Sequence, residues 1–246
     1  MTYTSLCALS YERVGFLQAC LESIREAGAS YELIVHDDGS EDPAVLELLS
    51  RLYHEGLVSQ LLLNAPGQNE GVGAAVRKCF AAAHGDVLVK IDQDLVFPSR
   101  DLCKEGWLAQ LRLAFEDPAV GCAGAFAYHH DPVDVEKTRI LGRTPPEGSQ
   151  HFYVQDFVGS LFAVPRAVYE RPDVGPIDTH SSAFAEDVEL KKRIQAAGFE
   201  LSLPAEDLCA NIGFGVGPST VVVAENTVRE IHRQPLIFDG ERAERP

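Results

Sequence analysis

The chain has 246 residues, 46% hydrophobic and 24% charged, with 21 Lys and Arg set against 37 Asp and Glu. That length and composition let a chain bury roughly 70 to 75% of its unfolded surface, which excludes a disordered protein and a small domain needing disulfide or metal staples. The net charge of −16 is no acidic tail, since residues 1–98 carry 6 basic and 14 acidic groups and residues 99–246 carry 15 and 23; such a field repels nucleic-acid backbones and anionic membranes.

The start, Met1-Thr2-Tyr3, lacks the basic and apolar regions of a signal peptide, and no apolar run approaches the roughly 18 to 20 residues of a membrane span. The expectation is a cytoplasmic chain without a transmembrane segment. Tyr3 to Leu9 reads as a strand, followed by a helix with Val14, Leu17, Leu21 and Ile24 on one face and Gly28 past its end. Tyr31 to His36 is a second strand, and Pro43 opens a second helix. Leu57 to Leu63 is a third strand, Gly73 to Ala83 a third helix and Asp86 to Ile91 a fourth strand. Leu102 to Phe115 reads as a helix and Val120 to Phe126 as an apolar segment. Residues 129–150 have little periodicity and read as a long loop, which inside a compact domain is functional or mobile. Tyr153 to Val164 reads as one strand, Ala185 to Ala197 as a helix ended by Gly198, and Phe199 to Leu203 as extended. Alternation of strands and helices means an α/β fold with a mostly parallel sheet. With no repeat or linker, one domain over 1–225 is expected, with halves 1–98 and 99–225 and an extension over 226–246. The six cysteines, at 7, 20, 79, 103, 122 and 209, form no C-x-x-C pair and read as reduced, buried hydrophobes.

Several carboxylates fall where a parallel sheet binds ligands. Asp37-Asp38-Gly39-Ser40 follows the second strand, at the carboxyl end where the crevice of an open sheet lies; a plain turn is the alternative. Asp92-Gln93-Asp94 follows the fourth strand. In an extended segment, residues 92 and 94 face one side and Gln93 points away, so both carboxylates can face one hard cation such as Mg²⁺ or Mn²⁺. A solvated acidic loop is the plain reading. Asn69-Glu70-Gly71-Val72-Gly73 opens the third helix, with Arg77 and Lys78 a turn later, and its glycines either let the loop approach a ligand or only make the turn. It is neither a Walker loop nor a dinucleotide fingerprint. Glu186-Asp187 begins a helix, where carboxylates favour the macrodipole; a catalytic base is the sharper reading.

Taken in order, these pieces resemble the family 2 glycosyltransferases. The matching segments are Ala-Leu-Ser-Tyr-Glu-Arg (8–13), Val-His-Asp-Asp-Gly-Ser (35–40), Asn69 to Arg77, Ile-Asp-Gln-Asp (91–94), Phe-Val-Gly-Ser (157–160) with Arg166, and Ala-Glu-Asp-Val-Glu-Leu (185–190). The resemblance implies a single-domain A-type glycosyltransferase fold, with a Rossmann-like nucleotide-binding half and an acceptor-binding half. It implies an inverting enzyme that moves a sugar from a nucleotide diphosphate sugar, a UDP-sugar first among them, to an acceptor hydroxyl. Ser10, Tyr11 and Arg13 would meet the nucleotide, with Gly71 and Gln93 in the same set. Asp37 and Asp38 would read base and ribose, and Arg77 would orient them or touch the nucleotide. Asp94 would be the main ligand of a Mn²⁺ or Mg²⁺ ion, with Asp92 on the ribose or the metal. Gly159 and Ser160 would line the sugar pocket, and Asp187 would be the base, ahead of Glu186.

One departure stands out. Many members of the family it resembles carry a metal-binding His after the segment matching 209–215, where this chain has Gly217-Pro218-Ser219-Thr220. Either His232 reaches back or the metal has fewer protein ligands; His129, His130 and His180 read as acceptor-side or surface groups. The rival readings are a sugar-nucleotide pyrophosphorylase and a catalytically silent nucleotide-sugar binding module. The acceptor stays open among glycan, lipid carrier, protein and modified nucleobase, and so does the choice between monomer and homodimer. A local basic patch such as Lys137, Arg139 and Arg143 would be needed to favour a polyanion over the acidic field.

Overall fold

The computed structural model describes residues 3–25, 27–101, 103–125, 127–128, 151–177, 186–204, 208–211, 236–238 and 241–243. The expectations for the 129–150 loop, for His129, His130, His180 and His232, for the basic patch and for most of the 226–246 extension lie outside the described residues.

The first half forms as alternating strands and helices. Strand β1 (Thr4–Ser10) is buried along its whole length, as a central strand covered on both faces must be. Helix α1 (Val14–Ile24) buries Leu17, Cys20, Leu21 and Ile24 on one stripe. Strand β2 (Tyr31–Asp37) leads to α2 (Pro43–His54), whose N-cap Asp42 accepts a hydrogen bond from the Ala44 N–H and whose first residue is proline. Strand β3 (Gln60–Leu63) is shorter than expected, because the Leu57 and Val58 N–H groups bond to the Leu52 carbonyl and close α2. Helix α3 (Val72–Ala82) then returns the chain to β4 (Val87–Asp92).

The second half departs further from the expected pattern. The helix expected from Leu102 begins at Trp107: Gly106 has a φ of 86°, and α4 (Trp107–Leu113) starts only after it, ending in a 3-10 turn at Ala114–Glu116. The short β5 (Leu95–Val96) precedes α4, and β6 (Val120–Gly124) and β7 (Ala127–Tyr128) follow it. The single strand expected over Tyr153 to Val164 is two, β8 (His151–Val154) and β9 (Leu161–Pro165), with residues 155–160 as a connection between them. Next come α5 (Arg166–Tyr169), α6 (Glu186–Ala196), β10 (Glu200–Pro204) and β11 (Cys209–Asn211). Leu236–Phe238 and Glu241–Ala243, β12 and β13, pair as an antiparallel ribbon.

The eight-stranded sheet runs β3-β2-β1-β4-β9-β6-β10-β8. Strands β3, β2, β1 and β4 are mutually parallel, β10 is parallel to β6, and β9 and β8 run antiparallel to their neighbours. Each face carries its own apolar core. One packs α1, α2 and α4 against Leu6, Ala8, Leu33 and Val35; the other packs α3, α5 and α6 against Cys7, Leu9, Ile34 and Phe162. Successive residues of β1 thus alternate between the two cores, as period 2 requires. Trp107, fully buried, stacks on Phe97 with ring centroids 3.9 Å apart. All six cysteines are buried and unbridged, and burial pushes the thiols of Cys7 and Cys20 well above the usual range. Among the described residues no helix is long and apolar enough to cross a membrane.

Candidate active site

A cleft of about 620 Å³ opens at the carboxyl ends of β1, β2 and β4, where α6 and residues 156–160 close over the sheet. Ser10, Tyr11, Arg13, Asp38 and Gly71 line one part of it, and Asp92, Gln93 and Asp94 another. Gly159, Ser160, Glu186 and Asp187 line the rest. Asp37 and Arg77 are the two expected site residues outside the lining.

Asp37 is fully buried and holds the loop together. Its carboxylate accepts from Ser10 Oγ (2.7 Å), Ser40 Oγ (2.7 Å) and the Ser40 N–H (2.8 Å). Asp38 faces the other way, accepting from Asn64 Nδ2 (2.7 Å) and from the N–H groups of Glu70 (3.0 Å) and Gly71 (2.8 Å). Arg77 is exposed on α3. Its neighbour Lys78 reaches Asn64 Oδ1 at 2.8 Å, so Lys78, through Asn64, is the cation linked to Asp38.

The loop after β1 is strained. Glu12 and Arg13 both have left-handed backbone, with φ of 51° and 57°, a region costly for residues other than glycine. Glu12 is secured by its carboxylate, which accepts from the N–H of Glu41 (2.7 Å) and Asp42 (3.3 Å), and by its own N–H to Ser40 Oγ (2.7 Å). The outcome is an Arg13 guanidinium 3.4 Å from Asp94 Oδ2 and 4.0 Å from the Phe16 ring centroid. Gln93 fastens the same loop: its Nε2 donates to the Tyr11 carbonyl (2.8 Å) and its Oε1 accepts from the Tyr11 N–H (3.1 Å). Residues 93 and 94 form the turn between β4 and β5 rather than continuing the strand, so Asp92 and Asp94 share the cleft by a turn and not by strand alternation.

Two buried lysines were not anticipated. Lys90, on the same face of β4 as Asp92, bonds to Asp92 Oδ1 (2.6 Å) and to the Gly159 carbonyl (2.8 Å). Lys191, one turn after Asp187 on α6, pairs with Asp187 Oδ2 (3.1 Å) and Asp156. The signal for Lys90 was a charge inside the apolar run Val87 to Ile91; for Lys191 it was the i, i+4 spacing to Asp187 beside the buried Leu190. Burial pushes Asp92 up to about 6 against the pull of Lys90, and Asp94 and Glu186 add to the push. Gly159 has its own requirement: a Cβ there would stand 2.0 Å from Asp187 Oδ2. Arg166, expected with that segment, donates to the carbonyls of Gly85 and Ala83 and braces the β4–β9 junction.

Asp92 and Asp94 both line the cleft and offer carboxylate oxygens, the hard donors that suit a divalent cation. Among the described residues no group of three or more His, Cys, Asp or Glu is placed to hold a metal.

The model of glycosyl transferase family 2 matches residues 5–171, more than half of the chain. The chain belongs to glycosyl transferase family 2. Its fold is that of the A-type members. A mannosyltransferase of Pyrobaculum calidifontis, solved with GDP-Man and Mn²⁺, superposes with a TM-score of 0.64 at 21% identity over 85% of this chain and 56% of its own. GalNAc-T7, solved with UDP, GalNAc and Mn²⁺, gives 0.65 at 18% identity over 95% of this chain and 48% of its own. TarS of S. aureus, as residues 1–349, gives 0.61 at 12% identity over 86% and 60%. The chain spans about half the length of the first two, and at these identities the likeness is one of fold. No curated protein matches the sequence.

Proposed function

We propose that this family 2 member is an inverting, metal-dependent glycosyltransferase that moves a sugar from a nucleoside diphosphate sugar to an acceptor hydroxyl. The observation that carries the reading is the meeting of Asp92 and Asp94, from the end of β4, with Asp187, from the start of α6, in one cleft. Two of the superposed structures were solved with GDP-Man or UDP, and both with Mn²⁺, which supports a nucleotide-linked donor and a divalent ion. Residues 1–98 form the nucleotide side in this reading and 99–225 the acceptor side.

Asp187 accepts the proton of the acceptor hydroxyl as its oxygen bonds to the anomeric carbon. The bond from that carbon to the diphosphate oxygen breaks, its electron pair leaves with the diphosphate, and the anomeric configuration inverts. Glu186, buried beside it, is the second candidate for the base. Asp38, with Tyr11 and Ser10, faces the nucleoside, and Gly159 with Ser160 the sugar. Arg13 and Lys90 bring positive charge to the diphosphate side. Asp94, with Asp92, would hold the Mn²⁺ or Mg²⁺ ion, which when bound supplies further positive charge against the diphosphate.

The test is nucleoside diphosphate release from a panel of UDP- and GDP-sugars, with and without Mn²⁺. Asp187→Asn is expected to lower kcat by about 10²–10⁴-fold, and Asp94→Ala to remove the Mn²⁺ dependence. A panel in which no donor binds, with or without the ion, overturns the reading.

A further inference from the structure

Lys191 is 3% exposed, deep in the wall of the cleft, and the reaction described above gives it no task. Its ammonium has three N–H donors and meets three acceptors: Asp187 Oδ2 at 3.1 Å, Asp156 Oδ1 at 2.5 Å and the Phe157 carbonyl. The Phe157 ring centroid lies 4.7 Å from the same nitrogen. On a solvated helix face an Asp–Lys pair one turn apart is weak and loose. Buried, the same pair keeps one geometry, because either charge left unpaired out of water is costly.

A second contact confines the same carboxylate. A Cβ on residue 159 would stand 2.0 Å from its Oδ2, so the carboxylate lies against bare backbone. The Gly159 carbonyl is in turn held by Lys90 at 2.8 Å, and the Ser160 carbonyl accepts from the Asp92 N–H at 3.0 Å. Asp187 is therefore fixed between an ammonium and a glycine, with Oδ2 committed to both contacts. Among the described residues, Oδ1 is the oxygen left to take a proton.

We propose that Lys191 is a positioning residue for glycosyl transfer: it fixes Asp187 so that Oδ1 faces the acceptor hydroxyl, and ties that orientation to residues 156–160 on the donor side. The proposal rests on the reading of Asp187 as the base. A lysine that only stabilised the fold would affect folding and donor binding; one that aims the base affects turnover at saturating donor. Without it Asp156 and Asp187 face each other uncompensated, and Asp187 swings away from Gly159.

The experiment compares wild type, Lys191→Met, Lys191→Arg and Asp187→Asn in nucleoside diphosphate release from UDP-glucose, UDP-N-acetylglucosamine and GDP-mannose with Mn²⁺. Lys191→Met is expected to lose about 10²-fold in kcat, the scale of a misplaced catalytic group, with the donor KM within about threefold. Lys191→Arg, which keeps the charge and the donors, recovers most of that loss. If Asp187→Asn abolishes turnover while Lys191→Met keeps the wild-type kcat, or changes only KM and thermal stability, the positioning role is overturned and the base reading stands. If Asp187→Asn itself turns over at the wild-type rate, the base reading fails and takes this proposal with it. Should Lys191→Met not fold, Lys191→Met/Asp156→Asn removes the repulsion; low kcat supports the role and wild-type kcat refutes it. If none of the three donors is turned over, crystal structures of wild type and Lys191→Met decide: an Asp187 carboxylate still against Gly159 in the variant overturns the proposal.

Discussion

Asp37 and Asp38 are neighbours whose carboxylates serve different ends. Asp37 accepts three hydrogen bonds from Ser10 and Ser40 and is fully buried, so Asp37→Ala strands buried donors and is expected to cost about 2–3 kcal/mol of stability in urea unfolding. Asp38 lines the cleft and holds the 64–71 loop, whose donors water can satisfy. Asp38→Ala is expected to raise the donor KM about tenfold or more, with a smaller change in stability. Gly159→Ala is the sharpest single test of the cleft, since the added methyl meets Asp187 Oδ2. We expect turnover to fall by about 10²-fold, with circular dichroism unchanged. The segment Asp-Asp-Gly-Ser was legible as the loop at the carboxyl end of β2, but not which aspartate lines the cleft, because that depends on where Ser10, 27 residues before Asp37, places its hydroxyl. Lys90 and Lys191 escaped for a related reason: a buried lysine is defined by its partners, and Gly159 and Asp156 lie far along the chain.

At the scale of elements, β1, β2, β4 and α3 lie within a residue of where the pattern puts them, and only β3 is clearly shorter. From residue 97 onward the chain was legible only in part: β6, α6 and β10 lie where the pattern puts them, while α4 starts late and one expected strand is two. Residues 157–164, Phe-Val-Gly-Ser-Leu-Phe-Ala-Val, are as apolar as a strand, yet their first half is a connection whose Phe157 and Gly159 carbonyls are taken by lysines rather than by a neighbouring strand. Strand β8, at the sheet edge, offers a test of its own. Asp117 accepts from the Tyr153 O–H and the Ala119 N–H and lies 3.5 Å from His151 Nε2. Burial pushes its carboxyl up, but those hydrogen bonds and the histidine outweigh it and hold it below the usual carboxylate range. A carboxyl depressed in the folded state contributes stability that is fully present above its unfolded value of about 3.9 and is lost as the pH falls through the lower folded value. The stability gap between wild type and Asp117→Asn is therefore expected to be flat above about pH 5 and to close in acid, as followed by urea midpoints across pH. A gap independent of pH would show that the hydrogen bonds do not act through the charge.

For the whole molecule, two cores pack on the two faces of one sheet, and a bound donor is expected to add to the stability they provide. At a hundred times its Kd a bound donor adds about 2.7 kcal/mol, which for a chain of this size raises Tm by about 5–10 °C. The panel of UDP- and GDP-sugars can be ranked by that shift, and chelating the divalent ion is expected to shrink it. The bulk charge of −16 had no bearing on which carboxylates line the cleft; position at strand ends did. Strand β9 joins the halves: β4 and β6 do not pair with each other, and both pair with β9. During synthesis, then, β4 waits as an open edge for more than 60 further residues, until Leu161–Pro165 has been made. Only when that strand docks do Gly159 and Ser160 arrive beside Lys90 and Asp92, so a half-made chain has the β1–β4 side of the cleft but not the wall that closes it.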